Sequence, residues 1–180
     1  MERSKNIGFI GLGSMGEGMA LNLAKKNFSL VLFDINKDKY ESFSNYGCTI
    51  VNSSAEVIKN ASTIFTVLPG PKEVEEVILD SNGIIANSNP GDLIVDFSTV
   101  LPETSDNLFN ACKSKEVSFV DSPIGRLAKN AWDGSSMFMI GAKVEDLSRI
   151  KPFFEAMGTT LVHCGEPGTG GPPPKKWSTC

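Results

Sequence analysis

Apolar positions along this chain form short continuous runs that alternate with longer segments in which apolar residues recur at helical spacing. Continuous runs of this length predict buried β-strands at residues 6–11, 29–34, 63–68, 93–97, 117–121 and 136–141. The helical spacing predicts helices at residues 15–26, 38–45, 54–60, 73–79, 102–115 and 144–157. Because strands separated by helices pair in parallel, the pattern predicts an α/β fold with a doubly wound, mainly parallel sheet and helices on both faces.

A Gly-x-Gly-x-x-Gly motif, made of Gly11, Gly13 and Gly16, joins the first predicted strand to the first predicted helix. In this geometry the first glycine permits a tight turn, the second lets a pyrophosphate approach the backbone, and the third lets helix and strand pack closely. Ser14 is the expected N-cap, and the free N–H groups that open the helix would face the phosphates. Since glycine-rich turns are common, an ordinary strand-to-helix loop is the alternative.

The second predicted strand ends in an acid that fits the same Rossmann-type arrangement. Asp34 follows the glycine motif by about 20 residues, the offset expected of the carboxylate that accepts hydrogen bonds from the adenosine ribose. A carboxylate there would repel a 2′-phosphate, whereas enzymes for the phosphorylated cofactor usually place arginine nearby. Strand, turn, helix, strand and acid in this order predict a dinucleotide site that prefers NAD to NADP. A solvated acid at a strand end is the alternative.

Composition narrows the class of protein further. The 180 residues suffice for one domain, and the net charge is −4 with a sequence pI of about 5.1. Lys and Arg are scattered, which argues against a nucleic-acid partner, and no apolar run reaches membrane-spanning length, so we expect a cytoplasmic protein. The cysteines stand far apart without Cys-x-x-Cys spacing, which predicts reduced, mostly buried thiols and no metal site. His163 has no partner carboxylate visible in the sequence and is predicted to be structural.

Further motifs follow the predicted strands in order, at residues 68–71, 98–99, 121–126 and 165–170. Together with the glycine motif they resemble the β-hydroxyacid dehydrogenase family from residue 6 to about residue 170. The resemblance implies an N-terminal NAD(P)-binding domain, normally followed by a long helix and an all-helical domain, in chains that can form homo-oligomers. It also implies hydride transfer between a nicotinamide cofactor and a small 3-hydroxy acid or its semialdehyde.

By position, the resemblance assigns cofactor contacts to residues at the strand ends. Beside the motif glycines Gly11, Gly13 and Gly16, Leu12, Ser14 and Met15 would line the pyrophosphate, Asp34 the adenosine ribose, Leu68 and Pro69 the nicotinamide, and Thr99 the nicotinamide ribose. Taken without the resemblance, residues 68–71 are typical of a rigid turn, and residues 98–99 of a helix cap ahead of Pro102.

The substrate loop departs from the family's commonest pattern, in which a Ser-Gly-Gly segment cradles a carboxylate. Here Gly125, Arg126 and Leu127 take that place, and with Ser98 they are the predicted substrate contacts. The guanidinium carries a permanent charge on a planar fork of N–H donors, which suits a bulky or strongly acidic anion. The loop resembles family members that act on a sulfonate, so 3-hydroxyisobutyrate and 3-sulfolactaldehyde are both candidate substrates. A solvated surface arginine is the alternative.

The resemblance breaks near Gly171. We expect a dinucleotide-binding domain at residues 1–165 and a truncated or divergent tail at residues 166–180 in place of the interdomain helix, with the all-helical domain absent. The family pattern places a general acid–base lysine where this chain has Pro174, with Lys175 one position late, and consecutive prolines cannot continue a helix. A frame slip, a cloned fragment and a natural truncation are alternatives. No catalytic residue is assigned, and a non-catalytic NAD-binding module is the alternative to an oxidoreductase.

Overall fold

The computed structural model describes residues 5–170, and every predicted strand is present in it. The strands are β1 Ile7–Ile10, β2 Leu30–Phe33, β3 Thr49–Ile50, β4 Thr63–Thr66, β5 Leu93–Asp96, β6 Ser118–Asp121, β7 Ile124–Gly125, β8 Ser136–Gly141 and β9 Gly158–Gly165. The sequence analysis missed β3, β7 and β9. The first two have too few positions to form a pattern, and β9 alternates in exposure instead of forming a continuous apolar run.

The strands of residues 5–170 form one sheet in the order β3-β2-β1-β4-β5-β6-β8-β7, with β9 paired to β8. The six strands β1 to β6 pair in parallel with their neighbours in this order, whereas β8 runs antiparallel to β6 and β7. The prediction of a mainly parallel sheet is therefore confirmed. Because β1 lies between β2 and β4, the direction of winding reverses at its carboxyl end, which is where open α/β sheets bind ligands.

Most of the predicted helices are also present. They are α1 Gly16–Lys25, α2 Ser54–Asn60, α3 Pro71–Leu79, α4 Pro102–Ser114, α5 Ala128–Trp132 and α6 Val144–Met157, with 3₁₀ helices at Lys37–Phe43 and Ile85–Asn87. The prediction of an α-helix at residues 38–45 is wrong, because that segment forms the first 3₁₀ helix. The Asn36 side chain caps it, and the Tyr40 hydroxyl bonds to the backbone of Asp34, so local contacts hold a tight turn against the end of β2. Helix α5 was not predicted.

Alternate residues of the parallel strands point to opposite faces, and each face packs against its own helices. Phe9 and Phe65 belong to a core cluster that includes residues of α1 and α6. Their neighbours Ile10 and Ile64 belong to a second cluster that includes residues of α2, α3 and α4. Burial on both faces explains why these strands are continuous apolar runs, and it confirms the predicted doubly wound arrangement.

Aromatic rings join the antiparallel strands to the parallel part of the sheet. The Phe97 ring centroid lies 5.4 Å from that of Phe65 on β4, 5.3 Å from that of Phe138 on β8 and 5.4 Å from that of Phe154 on α6. All of these side chains are buried. The cluster therefore connects β4 and β8 of the sheet to helix α6 at one point.

The cysteines and the histidine lie in different environments, which only partly match the predictions. The described cysteines are free, as expected, but only Cys112 among them is buried, so the prediction of mostly buried thiols is wrong. Cys48 and Cys164 lie at the two edges of the sheet and are half-buried. The His163 Nε2 donates to the Ala142 carbonyl at 2.9 Å, which is a structural role. Within the described residues, no helix has both the length and the apolar character needed to cross a membrane.

Truncation of Phe97 tests whether the aromatic cluster holds the layers together. Phe97 is 2% exposed, so we expect Phe97→Ala to lower the free energy of unfolding by about 3–5 kcal/mol, because it leaves a cavity among three rings. Urea denaturation followed by circular dichroism measures this loss. The control is Leu79→Ala at a side chain that is 38% exposed, and a loss no larger than the control's would contradict the account.

Candidate functional site

A cavity of about 680 Å³ opens at the carboxyl ends of β1, β2 and β4, where the winding of the sheet reverses. Its volume lies within the range of roughly 300–1,000 Å³ that is usual for small-molecule and cofactor sites. The walls come from the turn after β1, the end of β2 with the segment after it, the loop after β4 and one side of α3. The cavity therefore occupies the position at which a doubly wound sheet binds a dinucleotide.

The glycine motif forms the turn between β1 and α1. Gly11 has a φ of 92°, in the left-handed region, and a Cβ on Gly16 would lie 2.0 Å from the Gly11 carbonyl oxygen. A Cβ on Gly13, in contrast, would meet nothing within 4 Å, so this residue borders the open volume. Two of the glycines are thus required by the fold itself, whereas Gly13 leaves room for a ligand.

Helix α1 begins with unused hydrogen-bond donors. Its N-cap is Met15 without a side-chain cap, so the prediction that Ser14 caps the helix is wrong. In the described part of the chain, the N–H groups of Gly13, Ser14 and Met15 have no hydrogen-bond partner. Because no hydroxyl competes for these donors, they and the positive end of the helix dipole are free for an anion. The residues present therefore fit the pyrophosphate of a dinucleotide.

Asp34 fastens the end of β2 to the glycine turn. Its Oδ2 accepts from the Leu12 N–H at 2.5 Å, and its Oδ1 accepts from the Asn36 N–H at 2.7 Å. The Tyr40 hydroxyl lies 2.8 Å from both the nitrogen and the carbonyl oxygen of the Asp34 backbone. Because a carboxylate has about four lone-pair sites, two backbone bonds leave capacity for ribose hydroxyls.

A buried network on β4 and β5 positions the loop that follows β4. Asp96 Oδ1 accepts from the Thr66 hydroxyl at 2.8 Å and from the Ser98 hydroxyl at 2.7 Å, and the Ser98 Oγ accepts from the Leu68 N–H at 2.9 Å. Burial raises the pKa of the Asp96 carboxyl, and these hydrogen bonds oppose the rise. The network sets where Leu68 and Pro69 enter the cavity wall.

Arg126 directly follows β7, in the antiparallel arm that β7 and β8 form; β9 pairs with β8 in parallel. Its φ of 76° is left-handed, which costs a non-glycine residue on the order of 1–2 kcal/mol. The guanidinium donates to the Ser135 carbonyl at 2.7 Å and to the hydroxyls of Thr159 and Thr160 at 3.3 and 3.0 Å. These partners are neutral, and no carboxylate within residues 5–170 forms an ion pair with it. The charge is therefore available to an anion.

Trp132 contacts the glycine turn, which the sequence analysis did not predict. Its indole N–H donates to the Ser14 carbonyl at 3.2 Å, across 118 residues of sequence, and the side chain is 42% exposed. The Asn22 side chain of α1 donates to the Ala131 carbonyl at 2.7 Å, and a Cβ on Gly18 would lie 2.8 Å from the Trp132 nitrogen. Helix α5 thus rests directly on α1 and connects the substrate loop to the glycine turn. Nothing in the local sequence indicates so distant a contact.

The late glycine-rich segment lies against the end of β6. The Gly168 N–H donates to Asp121 Oδ1 at 2.5 Å, and a Cβ on Gly170 would lie 2.4 Å from the Asp121 carbonyl oxygen and 2.6 Å from that of Met139. Only glycine fits at residue 170, which explains the motif in physical terms. The tail with Pro174 and Lys175 lies outside the described residues.

The structure brings together only part of the predicted site. The predicted contacts that line the cavity are Gly11, Gly13, Ser14, Met15, Asp34, Leu68 and Pro69. Leu12 and Gly16 are buried beside it, and Ser98 is buried beneath Leu68. Thr99 is exposed after β5 and does not line the cavity. The cavity lining also lacks the segment at the end of β7 and before α5, which is Gly125, Arg126 and Leu127. The predicted substrate contacts are therefore separate from the cofactor cavity.

A glycine turn with free donors, an acid at the end of β2 and a cavity at the reversal of winding define the chain as a dinucleotide-binding domain. Comparison with known families identifies the class of domain, because residues 6–165 match the family described as the NAD binding domain of 6-phosphogluconate dehydrogenase. The chain belongs to this family of NAD-binding domains, and its predicted cofactor, NAD, is confirmed at that level.

Curated relatives carry names from the group that the sequence resembles. The chain is 40% identical over 167 residues to a probable mitochondrial 3-hydroxyisobutyrate dehydrogenase of Dictyostelium discoideum, covering 93% of this chain and 52% of that protein. It is 35% identical over 164 residues to 3-sulfolactaldehyde reductase of Escherichia coli, covering 91% of this chain and 55% of that protein. The resemblance to β-hydroxyacid dehydrogenases is thus confirmed, and the chain spans about half the length of these relatives.

A solved structure agrees with the fold. The 3-hydroxyisobutyrate dehydrogenase of Mycobacterium tuberculosis, determined with L-serine, superposes with a TM-score of 0.85 at 26% identity. The match covers 93% of this chain and 56% of that one. The described fold therefore corresponds to part of a larger chain in this neighbour.

Two glycine substitutions should separate binding from folding. Gly13→Ala adds a methyl group that meets no protein atom, so we expect the free energy of unfolding to change by less than about 0.5 kcal/mol. The same methyl narrows the space for the pyrophosphate, so the NADH dissociation constant should rise by about tenfold or more. Isothermal titration calorimetry and urea denaturation give the two quantities.

Gly16→Ala is the matched comparison, because its methyl collides with the Gly11 carbonyl and should destabilise the fold by about 1–3 kcal/mol. Equal effects of both substitutions on stability, or unchanged NADH affinity in Gly13→Ala, would contradict the assignment.

The buried carboxyl of Asp96 should make stability depend on pH. Its pKa is raised in the folded state above the ordinary value of 3.8, so the stability that it contributes is present below that value and is lost as the pH rises through the folded-state pKa. Asp96→Asn retains an acceptor for Thr66 and Ser98 but cannot ionise. We therefore expect the unfolding free energy of the variant to rise relative to that of the wild type as the pH is raised from about 4 into the neutral range. Urea denaturation across this range, with exposed Asp133→Asn as control, measures the difference, and a constant difference would refute the role of Asp96.

Proposed function

We propose that this chain is the cofactor-binding part of an NAD-dependent oxidoreductase, which transfers a hydride between the nicotinamide and a small anionic 3-hydroxy acid or semialdehyde. The observation that carries the proposal is the start of α1, where the N–H groups of Gly13, Ser14 and Met15 are unused and Gly13 leaves open space. The names of the curated relatives support the choice of reaction.

We further propose that the site prefers NAD to NADP. Asp34 keeps lone pairs available for the ribose hydroxyls after accepting from Leu12 and Asn36, and its negative charge would repel a 2′-phosphate. Those hydroxyls can donate to the carboxylate, whereas a phosphate offers only acceptors.

Arg126 is the proposed anion-binding residue. It occupies a strained left-handed conformation, and such outliers are often retained at functional sites. Its charge has only neutral partners in the described part of the chain, so a carboxylate or sulfonate would supply the missing counter-charge. The relatives' names cover both kinds of anion, and 3-hydroxyisobutyrate and 3-sulfolactaldehyde are the proposed substrate types.

Different residues have different roles in the proposed hydride transfer. NAD supplies the hydride acceptor when it is bound, and the chain positions it. The free N–H groups of Gly13, Ser14 and Met15 would hold the pyrophosphate. Asp34 would orient the adenosine ribose, and Leu68 and Pro69 would shield the nicotinamide side from water. Proton transfer at the substrate oxygen needs a general acid–base group worth about 10²- to 10⁴-fold, and no described residue is assigned to it.

The experiment measures binding of the anion to the NAD-loaded chain. Arg126→Gly removes the charge and suits the φ of 76°, so the fold should persist while the dissociation constants for 3-hydroxyisobutyrate and 2,3-dihydroxypropane-1-sulfonate rise by about tenfold. Lys129→Ala, at an exposed cation on α5, is the matched control and should change neither constant. Equal affinity in Arg126→Gly and wild type would overturn the substrate assignment.

A non-catalytic NAD-binding module is the second candidate, favoured by the prolines that replace the family's lysine position in the sequence. It predicts that the chain binds NADH but neither anion at any cofactor occupancy. Saturable anion binding that depends on NAD would exclude it.

A further inference from the structure

One cation stands among the residues that line the cofactor cavity in the described part of the chain. Lys39 lies on the 3₁₀ helix that follows β2, and it shares the cavity wall with Asp34, Ile35 and Asn36. This end of the cavity is where the adenosine ribose of a dinucleotide lies in such sheets. A lysine there would be a suitable partner for a 2′-phosphate, because its ammonium is a compact point charge on a long stem.

Glu17 holds that lysine. The Lys39 Nζ lies 3.0 Å from Glu17 Oε2, and Glu17 Oε1 accepts from the Ser42 hydroxyl at 2.6 Å. The Glu17 side chain is 11% exposed and that of Lys39 is 35% exposed, so water screens the pair only in part. Glu17 lies in the first turn of α1, immediately after the last glycine of the motif, and its position is therefore fixed by the glycine turn.

The pair changes what the cavity offers to a phosphate. With Lys39 neutralised, the charged groups on the wall that form no ion pair within residues 5–170 are the carboxylates of Asp34, Glu73 and Glu76. An additional phosphate dianion would meet like charges there, which costs free energy. Removing the Glu17 charge would leave the same lysine on the same wall without its ion pair to Glu17.

We propose that Glu17 is a positioning residue that sets cofactor selectivity. It binds Lys39, so this cation is not available to bind the 2′-phosphate of NADP(H). The proposal rests on the proposed NAD-dependent function. It differs from a purely mechanical role, in which the pair only fastens the 3₁₀ helix to α1, since a fastening role would alter the affinity for both cofactors equally.

The test measures the ratio of the NADPH and NADH dissociation constants by calorimetry on the 180-residue chain. Glu17→Gln is nearly isosteric and can still accept from Ser42, so the fold should persist, which a thermal unfolding scan checks. We expect the ratio to fall by about fivefold in favour of NADPH, and the shift should shrink as NaCl is added. Glu41→Gln, at an exposed acid of the same 3₁₀ helix outside the cavity wall, is the matched control and should leave the ratio unchanged.

A double-mutant cycle identifies the cation. Adding Lys39→Met to Glu17→Gln should abolish the gain in NADPH affinity, and Lys39→Met in the wild-type background should produce no such gain. An unchanged ratio in Glu17→Gln, or a gain that survives Lys39→Met, overturns the inference while leaving NADH binding as evidence for the proposed function. Failure of the wild-type chain to bind either cofactor would overturn the proposed function and this inference together.

Discussion

The hydrogen bond from the Leu12 N–H to the Asp34 carboxylate is the contact on which the site depends. It joins the end of β2 to the glycine turn after β1, and so it fixes Asp34, the proposed ribose-binding acid, relative to the start of α1. The turn can take this shape because Gly11 is left-handed and Gly16 has no side chain to strike the Gly11 carbonyl. Since the carboxylate accepts a backbone donor inside the fold, the same group can orient the ribose only while the turn is intact. Under the proposed function, folding and cofactor recognition would therefore share one interaction.

The carboxyl edge of the parallel strands gathers the remaining functional groups. The antiparallel arm follows β6, and its helix α5 contacts the start of α1 through Trp132, whose indole N–H donates to the Ser14 carbonyl. The late glycine segment reaches the same edge through Asp121. Hydrogen bonds consequently link the predicted substrate loop, the glycine turn after β1 and the late glycine-rich segment to this edge, so a shift in one segment can move the others. This arrangement is compatible with the proposal that Arg126 binds the anion on the arm while the cofactor occupies the cavity.

Much of this organisation could be predicted from the sequence, because strands buried on both faces are continuous apolar runs and the glycine spacing has a direct steric cause. The predictions that were wrong fall where local pattern competes with tertiary contacts. Ser14 has the residue type of a helix cap, yet its carbonyl instead accepts from a distant indole. The segment after β2 has helical spacing, yet it forms a 3₁₀ helix in which the Tyr40 hydroxyl bonds to the Asp34 backbone. The pairing of Glu17 with Lys39 shows no helical spacing, and only the fold brings these residues together.

The central claim is that the glycine turn and Asp34 together form a site for NAD. Calorimetric titration of the chain with NADH, and of an Asp34→Asn variant under the same conditions, tests it most directly. The account predicts saturable binding of NADH to the wild type and a dissociation constant about tenfold higher for the variant, because the amide is a weaker acceptor for the ribose hydroxyls. A folded wild-type chain that fails to bind NADH, or a variant that binds it equally well, would contradict the account.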